Sequence, residues 1–347
     1  MKIAVFSAQP YDRQFLDEAN EQLFSSNASN ETSFELIYHN TALSLETAPL
    51  AGGSPAVCAF VNDQLDAATL SSLHANGTRA ILLRCAGFNN VDLAAAKQLN
   101  LFVANVPAYS PEAVAEYAVA LLLTLNRRTH RAFNRVREGN FNLNGLMGFT
   151  VYGKTVGIVG TGKIGLATAR ILKGFGCRLL AYDPFTVPAF QELGEYVDLD
   201  TLLSESDVVS LHCPLMESTR NLINSATLAK IKPGAILVNT SRGGLIDTPA
   251  VITALKERRL GGLALDVYDQ ESSLFYLDRS SEIIHDDYFS RLMTFPNVIM
   301  TGHQGFFTRE ALREISEVTL RNMEAFAKGS PCKNDLVGGR GVLSPRP

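Results

Sequence analysis

Residues 154–184 read KTVGIVGTGKIGLATARILKGFGCRLLAYDP. A short apolar strand, 155–159, runs into Gly160, Gly162 and Gly165. A helical segment follows, then a second strand that ends at Asp183. Each part has a physical job. Gly160 permits the tight turn out of the strand, Gly162 lets a pyrophosphate approach the backbone, and Gly165 lets the helix pack close to the sheet. The N–H groups at the helix start, at Lys163 and Ile164, then face phosphate charge. A carboxylate at Asp183 can accept hydrogen bonds from both adenosine ribose hydroxyls and would repel a 2′-phosphate. The next residues are Pro184 and Phe185, with no Arg, so the stretch predicts an NAD site rather than an NADP site. A glycine-rich turn alone is common. Here the strand before it, the helix after it and the acid at the right distance occur together.

Outward from this stretch, a second α/β series continues with strands near Thr155, Arg178, Val208, Ala235, Gly262 and Val298. Six parallel strands with crossover helices make a doubly wound dinucleotide-binding domain. Upstream, strand and helix signals alternate over 2–7, 12–23, 34–38, 56–61, 66–75, 80–84 and 101–106, a first parallel unit without the glycine fingerprint. That makes it the candidate substrate domain. Residues 25–32 read as a polar surface loop. Ser110-Pro111-Glu112 opens a long helix. A last helix, 308–328, has no strand of its own and is expected to pack back on the first unit. The expected fold class is α/β, with two doubly wound parallel-sheet domains and an interdomain cleft that hinge closure can shut. A flavodoxin-like substrate domain takes residues 1–104 and 300–335, a Rossmann cofactor domain takes 105–299, and 336–347 is a tail.

The chain has 347 residues and a formal net charge of −4, which leaves no electrostatic footprint for nucleic acid. Arg127, Arg128, Arg131, Arg135 and Arg137 cluster on one predicted helix and read as a solvated or subunit-contact face. The first residues, MKIAVFSAQP, read as a strand rather than a signal peptide. The most apolar helix, 113–125, is too short to span a bilayer. Cys58, Cys85, Cys177, Cys213 and Cys332 are scattered without CxxC spacing, so reduced thiols in a cytoplasm are expected, with no disulfide framework and no metal site.

A nicotinamide enzyme acting on a hydroxyl/carbonyl pair needs an acid/base for the oxygen's proton and an anchor for the substrate's charge. Three segments at predicted strand ends supply candidates. Arg242, in VNTSRGG, can hold a carboxylate through two parallel hydrogen bonds. Asp266 ends the next strand, and Glu271 is a loop carboxylate able to orient a histidine. His303 follows a strand too. His39, His74, His130, His212 and His285 lack comparable acid and arginine context.

The motifs RCAGFNNVDL (84–93), VPAYSPEAVAEYA (106–118), SLHCPL, VNTSRG, LDVYDQE and TGHQGF, in this order around the fingerprint, resemble the D-2-hydroxyacid dehydrogenase family over residues 1–335. The resemblance is strongest to its fermentative NAD-dependent D-lactate dehydrogenase branch. It implies the split two-domain fold, reversible reduction of pyruvate to D-lactate, and a cytoplasmic homodimer or homotetramer acting on a small 2-keto or 2-hydroxy acid, with no nucleic acid or membrane partner. Residue by residue, it makes His303 the proton donor and acceptor, Glu271 its paired carboxylate and Arg242 the substrate anchor. The backbone N–H groups of the Cys85-Ala86-Gly87 loop and the Tyr109 hydroxyl would join Arg242, and Phe306 would shape the pocket. Lys163 and Ile164 would meet the pyrophosphate and Asp183 the ribose. Cys213, Pro214 and Thr219 would line the adenosine and phosphate region, and Thr240, Ser241 and Asp266 would position the nicotinamide. The long segment between Glu271 and His303 fits lactate-type members. Gly305 departs from the Ala of close relatives and loosens the expectation of strict pyruvate selectivity. Two rival readings stay open: a dehydrogenase for a bulkier 2-keto acid, and an NAD-sensing binding protein.

Overall fold

Ala56–Ala59 (AVCA) and Ala80–Leu83 (AILL) are buried at every position, the pattern of strands covered on both faces in a parallel sheet. The structure, a computed structural model, describes residues 1–25 and 34–338. Nearly all of the loop expected at 25–32, and the tail beyond 338, lie outside the described residues. The chain divides into two units, Met1–Ser110 with Phe307–Pro347, and Pro111–Phe306.

The first unit holds β1 (Lys2–Val5), β2 (Glu35–Tyr38), β3 (Ala56–Ala59), β4 (Ala80–Leu83) and β5 (Phe102–Ala104). They form one parallel sheet in the order β2-β1-β3-β4-β5, the flavodoxin-like arrangement. Leu70, Leu73 and Ala96 cover one face. Leu16, Leu320, Met323 and Phe326 cover the other, and the Phe326 ring lies 5.4 Å from that of Phe102. The last helix, Arg309–Ala327, therefore completes this unit's core; Thr308 caps it, accepting from the Ala311 N–H. Past the helix, Asp335 bridges antiparallel to Ala104, and the Leu336 N–H donates to Val103 at 2.8 Å. Leu336 and Val337 pack on the core, so the tail begins later than residue 336.

The second unit holds β6 (Thr155–Val159), β7 (Arg178–Tyr182), β8 (Glu195–Tyr196), β9 (Val208–Leu211), β10 (Ala235–Asn239), β11 (Leu260–Leu265) and β12 (Val298–Met300). The sheet is parallel, in the order β12-β11-β10-β9-β6-β7-β8. It has seven strands where six were expected; β8 spans two residues, too few for a periodic signal. The helix Pro111–Arg127 lays Ala118, Leu121, Leu122 and Leu125 into a core shared with Val156, Ile158 and Ala169. Truncating Leu122 to Ala there would cost about 2–5 kcal/mol. The arginine-rich helix is broken in two: Arg128 takes φ +52°, and a new helix, Thr129–Arg137, starts after it with no buried residue.

The unit borders also differ from the sequence expectation. Residues 105–110 stay with the first unit: Val106 donates to Cys85 and Ser110 to Glu314. Residues 300–306 stay with the second, because β12 pairs with β11 and Asp266 accepts the Gln304 and Gly305 N–H groups. His303 therefore belongs to the second unit, not the first. Among the described residues no helix is long and apolar enough to cross a membrane.

Candidate active site

The glycine turn is built as a cradle. Gly160 has φ +94°, and a Cβ there would lie 2.6 Å from the Cys213 nitrogen. A Cβ on Gly165 would lie 1.9 Å from the Gly160 carbonyl oxygen, so any side chain would push the helix off the turn. Gly162 is different: a Cβ there meets nothing within 4 Å. Gly162 is the N-cap of the helix Lys163–Gly174 and supplies no side-chain cap. The first turn, including Lys163 and Ile164, thus has no side-chain cap, the arrangement that leaves N–H groups for a phosphate.

Asp183 follows β7. Its Oδ2 accepts from the Thr161 N–H (2.6 Å) and hydroxyl (3.1 Å), and its Oδ1 accepts from the Phe185 N–H (2.9 Å). The carboxylate is fixed against the glycine turn, and Oδ1 keeps accepting capacity for a ribose hydroxyl. Tyr196, on β8, hydrogen-bonds Thr161 Oγ1 at 2.8 Å and steadies this contact. After β9, Thr219 donates its hydroxyl to Pro214 and accepts from the Met216 N–H, which closes a tight turn. Ser241 donates to the Cys213 carbonyl and ties the β10 loop to the β9 loop. Burial pushes the Cys213 thiol up to about 11, so it remains a neutral lining group. Thr240 Oγ1 is buried with no hydrogen-bond partner among the described residues. An orphaned hydroxyl at a strand's carboxyl end calls for a ligand group. The uncapped helix, the open space at Gly162 and this hydroxyl fit a dinucleotide.

Three adjacent strands then present the reactive groups. Asn239 pairs with Leu265, and Leu265 with Met300, so the loops after β10, β11 and β12 emerge side by side. His303 Nδ1 lies 2.8 Å from Glu271 Oε1, and both side chains are 16% exposed, shielded yet reachable. The other Glu271 oxygen accepts from the Tyr268 N–H at 2.9 Å. A carboxylate is acceptor-only, so Nδ1 carries the proton of this bond and Nε2 is left to exchange a proton with a substrate.

His303 holds φ +54°, a strained backbone for a non-glycine residue, worth about 1–3 kcal/mol. Its neighbours hold it there. Buried Asp266 accepts from the Thr301 hydroxyl (2.6 Å), the Gln304 N–H (2.9 Å) and the Gly305 N–H (2.7 Å). Tyr276 donates to the His303 carbonyl at 2.9 Å. Burial raises the Asp266 pKa, and the three donors and nearby His303 oppose that rise without cancelling it. Asp266, expected beside the nicotinamide, also anchors the histidine loop, and its Oδ2 keeps one acceptor site.

Arg242 is half-buried. Asn239, fully buried, accepts from the Ser241 N–H and donates to the Arg242 carbonyl, which sets the turn. Gly243 packs so tightly on the next loop that a Cβ would lie 2.1 Å from the Tyr268 carbonyl carbon. The arginine's loop thus abuts the one that carries Glu271. Arg242 Nη1 donates to the Ser241 carbonyl at 2.7 Å, and the rest of the fork remains for an anion. Phe306 is buried, its ring edge-on to His303 at 6.5 Å.

Ala86, Gly87 and Tyr109 belong to the first unit. The Cys85-Ala86-Gly87 loop follows β4; Asn105 donates to the Ala86 carbonyl at 2.8 Å, and the Cys85 thiol donates to the Gly87 carbonyl at 3.2 Å. Arg84 is buried beneath it, pairs with Asp12 at 3.0 Å and donates to the Ser7 carbonyl. Sequence reasoning missed Arg84, Asn239 and Tyr276 as supports. The first two stand inside quoted motifs, where a polar residue next to an apolar strand was a usable signal. Tyr276 lies in the long segment before His303, with no pattern to mark it.

The chain is similar to several known proteins. Residues 119–305 match the family model described as D-isomer specific 2-hydroxyacid dehydrogenase, NAD binding domain. The chain is 61% identical to D-lactate dehydrogenase kk1H of Curvularia clavata over 98% of this chain and 96% of that one. It resembles the apo-structure of D-lactate dehydrogenase from Escherichia coli at 51% identity and a TM-score of 0.88, covering 97% of this chain and 100% of that one. The crystal structure of D-lactate dehydrogenase with NAD+ from Lactobacillus jensenii matches at 35% identity and a TM-score of 0.79, over 97% and 99%.

Proposed function

Because the chain belongs to the D-isomer specific 2-hydroxyacid dehydrogenase family, we propose that it reversibly reduces pyruvate to D-lactate with NADH. The observation that carries this reading is the His303–Glu271 hydrogen bond, set on a loop beside that of Arg242 at the carboxyl edge of the NAD-binding sheet.

NADH supplies the hydride. This chain supplies the rest. Arg242 holds the substrate carboxylate as a bidentate pair and so orients the keto carbon. His303 Nε2 holds the proton that the keto oxygen takes, and recovers it in the reverse direction. Glu271 keeps that imidazole in the right tautomer and offsets the positive charge of the protonated ring. Protonated His303 and Arg242 together stabilise the oxygen as negative charge develops. Asp266 and Tyr276 position the His303 backbone. Lys163, Ile164 and Gly162 receive the pyrophosphate, Asp183 the ribose, and Thr240 the nicotinamide end. The proposed roles of Ala86, Gly87 and Tyr109 as further carboxylate donors rest on the motifs that contain them.

A homodimer or homotetramer is part of the proposal. Phe133, Phe141, Leu143, Met147 and Tyr152 crowd one segment of the second unit, and Met147 is 89% exposed, an apolar surface that an assembly would cover. Five free cysteines support a cytoplasmic location.

The test is NADH oxidation with pyruvate, 2-oxobutyrate, phenylpyruvate and hydroxypyruvate, with chiral analysis of each product. Pyruvate should rank first and give the D-isomer. An L-product would overturn the stereochemical reading, a better rate with phenylpyruvate the substrate reading, and no turnover with any of them the enzymatic one.

A further inference from the structure

We propose that the amino edge of the second unit's sheet carries a binding site for a small multivalent oxyanion, separate from the catalytic loops. A concavity of about 540 Å³ opens there, within the size range of ligand pockets. Arg128, Lys256, Arg258 and Arg291 line it together with apolar Leu260 and Phe295, and no Asp or Glu takes part.

The parallel fold explains why these cations meet. Crossover helices run against the strands, so their C-termini gather at the strands' amino edge. Three end here: Pro111–Arg127, Thr248–Lys256 and Asp287–Met293. Basic residues at helix ends ordinarily offset the macrodipole, and magnitudes separate that role from a ligand site. Three termini at about half a negative charge each amount to roughly −1.5. Four formal positive charges exceed this by roughly 2.5. None of the four forms a salt bridge among the described residues. Arg128 gives one N–H to the Gly145 carbonyl, and Arg291 lies over the Phe295 ring at 4.9 Å. The surplus stands out in a chain whose net charge is −4.

Two of the guanidinium groups spring from left-handed backbone, Arg128 at φ +52° and Arg258 at φ +58°, a conformation that ordinary residues seldom adopt. The site is also distinct from Arg242. β11 starts in the concavity at Leu260 and ends at Leu265, next to Asp266, and a six-residue strand spans roughly 17–20 Å. Arginine forks favour planar or tetrahedral oxyanions, so the ligand class is a di- or tricarboxylate or a phosphate.

Isothermal titration calorimetry on the full-length protein and on its Arg242→Ala variant tests this, with citrate in one arm and inorganic phosphate in the other. The assay reads binding rather than turnover, so its failure is separable from failure of the catalytic reading. Saturable binding is expected in both proteins, and the tighter arm identifies the anion type. Lys256→Gln and Arg258→Gly should each raise the Kd about tenfold or more while leaving kcat and KM for pyruvate unchanged. Glycine suits the left-handed backbone at position 258, so weakened binding there reports the lost charge rather than a lost fold. Absence of saturable binding in both arms, a Kd unchanged from the parent protein in Lys256→Gln and Arg258→Gly, or loss of binding in Arg242→Ala would each overturn the proposal.

Discussion

Glu271→Gln is the sharpest probe of the catalytic reading, because it keeps the shape and removes one acceptor. Glu271 serves two donors with two oxygens: His303 Nδ1 at 2.8 Å and the Tyr268 N–H at 2.9 Å. An amide has one oxygen. If that oxygen faces His303, its NH2 group meets the Tyr268 N–H, and a shielded donor is left unsatisfied. If it faces Tyr268, the NH2 group meets Nδ1 and forces the opposite tautomer on the imidazole. Either arrangement forfeits about 1–3 kcal/mol, and the charged acceptor that would balance a protonated ring is gone as well. A combined loss of roughly 2–4 kcal/mol in the transition state means a fall in kcat/KM of about 30- to 1000-fold. Steady-state NADH oxidation with pyruvate measures it. A binding titration with NADH alone should be unchanged, since Glu271 is placed to act on the histidine. Activity within about threefold of the parent would refute the reasoning, because less than 1 kcal/mol could then reside in the pair.

His303→Gln should lower kcat by about 10²–10⁴-fold, the range for a positioned proton-transfer group, and near-native turnover would remove it from that role. Arg242→Ala should chiefly raise KM for the keto acid, with a loss in kcat as orientation degrades; an unchanged kcat/KM would dismiss the anchor. Gly165→Ala would place a Cβ 1.9 Å from the Gly160 oxygen, and NADH binding by fluorescence titration should be lost. For pH, burial lowers His212 from its ordinary 6.5 to about 4, and its ring bonds Ser210 Oγ at 2.9 Å. The folded state therefore keeps it neutral, so its contribution is full above pH 6.5 and is lost as the pH falls towards 4. That contribution is up to about 3 kcal/mol, less to the extent that water reaches this partly exposed residue. Thermal melts should show Tm falling through that window, and His212→Asn should flatten the fall; parallel curves would exclude His212 as its source.

Local chemistry made much of this protein legible in its sequence. Gly160 needs its positive φ and Gly165 has no room for a Cβ against the Gly160 carbonyl, demands local to the turn itself, and short apolar runs such as Ala80–Leu83, bounded by turns, suit strands buried on both faces. Arg242, Glu271 and His303 were singled out because each follows such a strand or lies in the loop after it. Long-range packing decided the rest. That Glu271 touches His303 depends on β10, β11 and β12 lying in register, a hydrogen-bonding fact that no window of sequence contains. The break at Arg128, the two-residue β8 and the placement of His303 in the second unit follow from which backbone groups find partners. Asp266 and Tyr276 reach the His303 loop only once the sheet has formed. Residue types fix what a side chain can do, while the distance between two loops is set by the sheet that carries both.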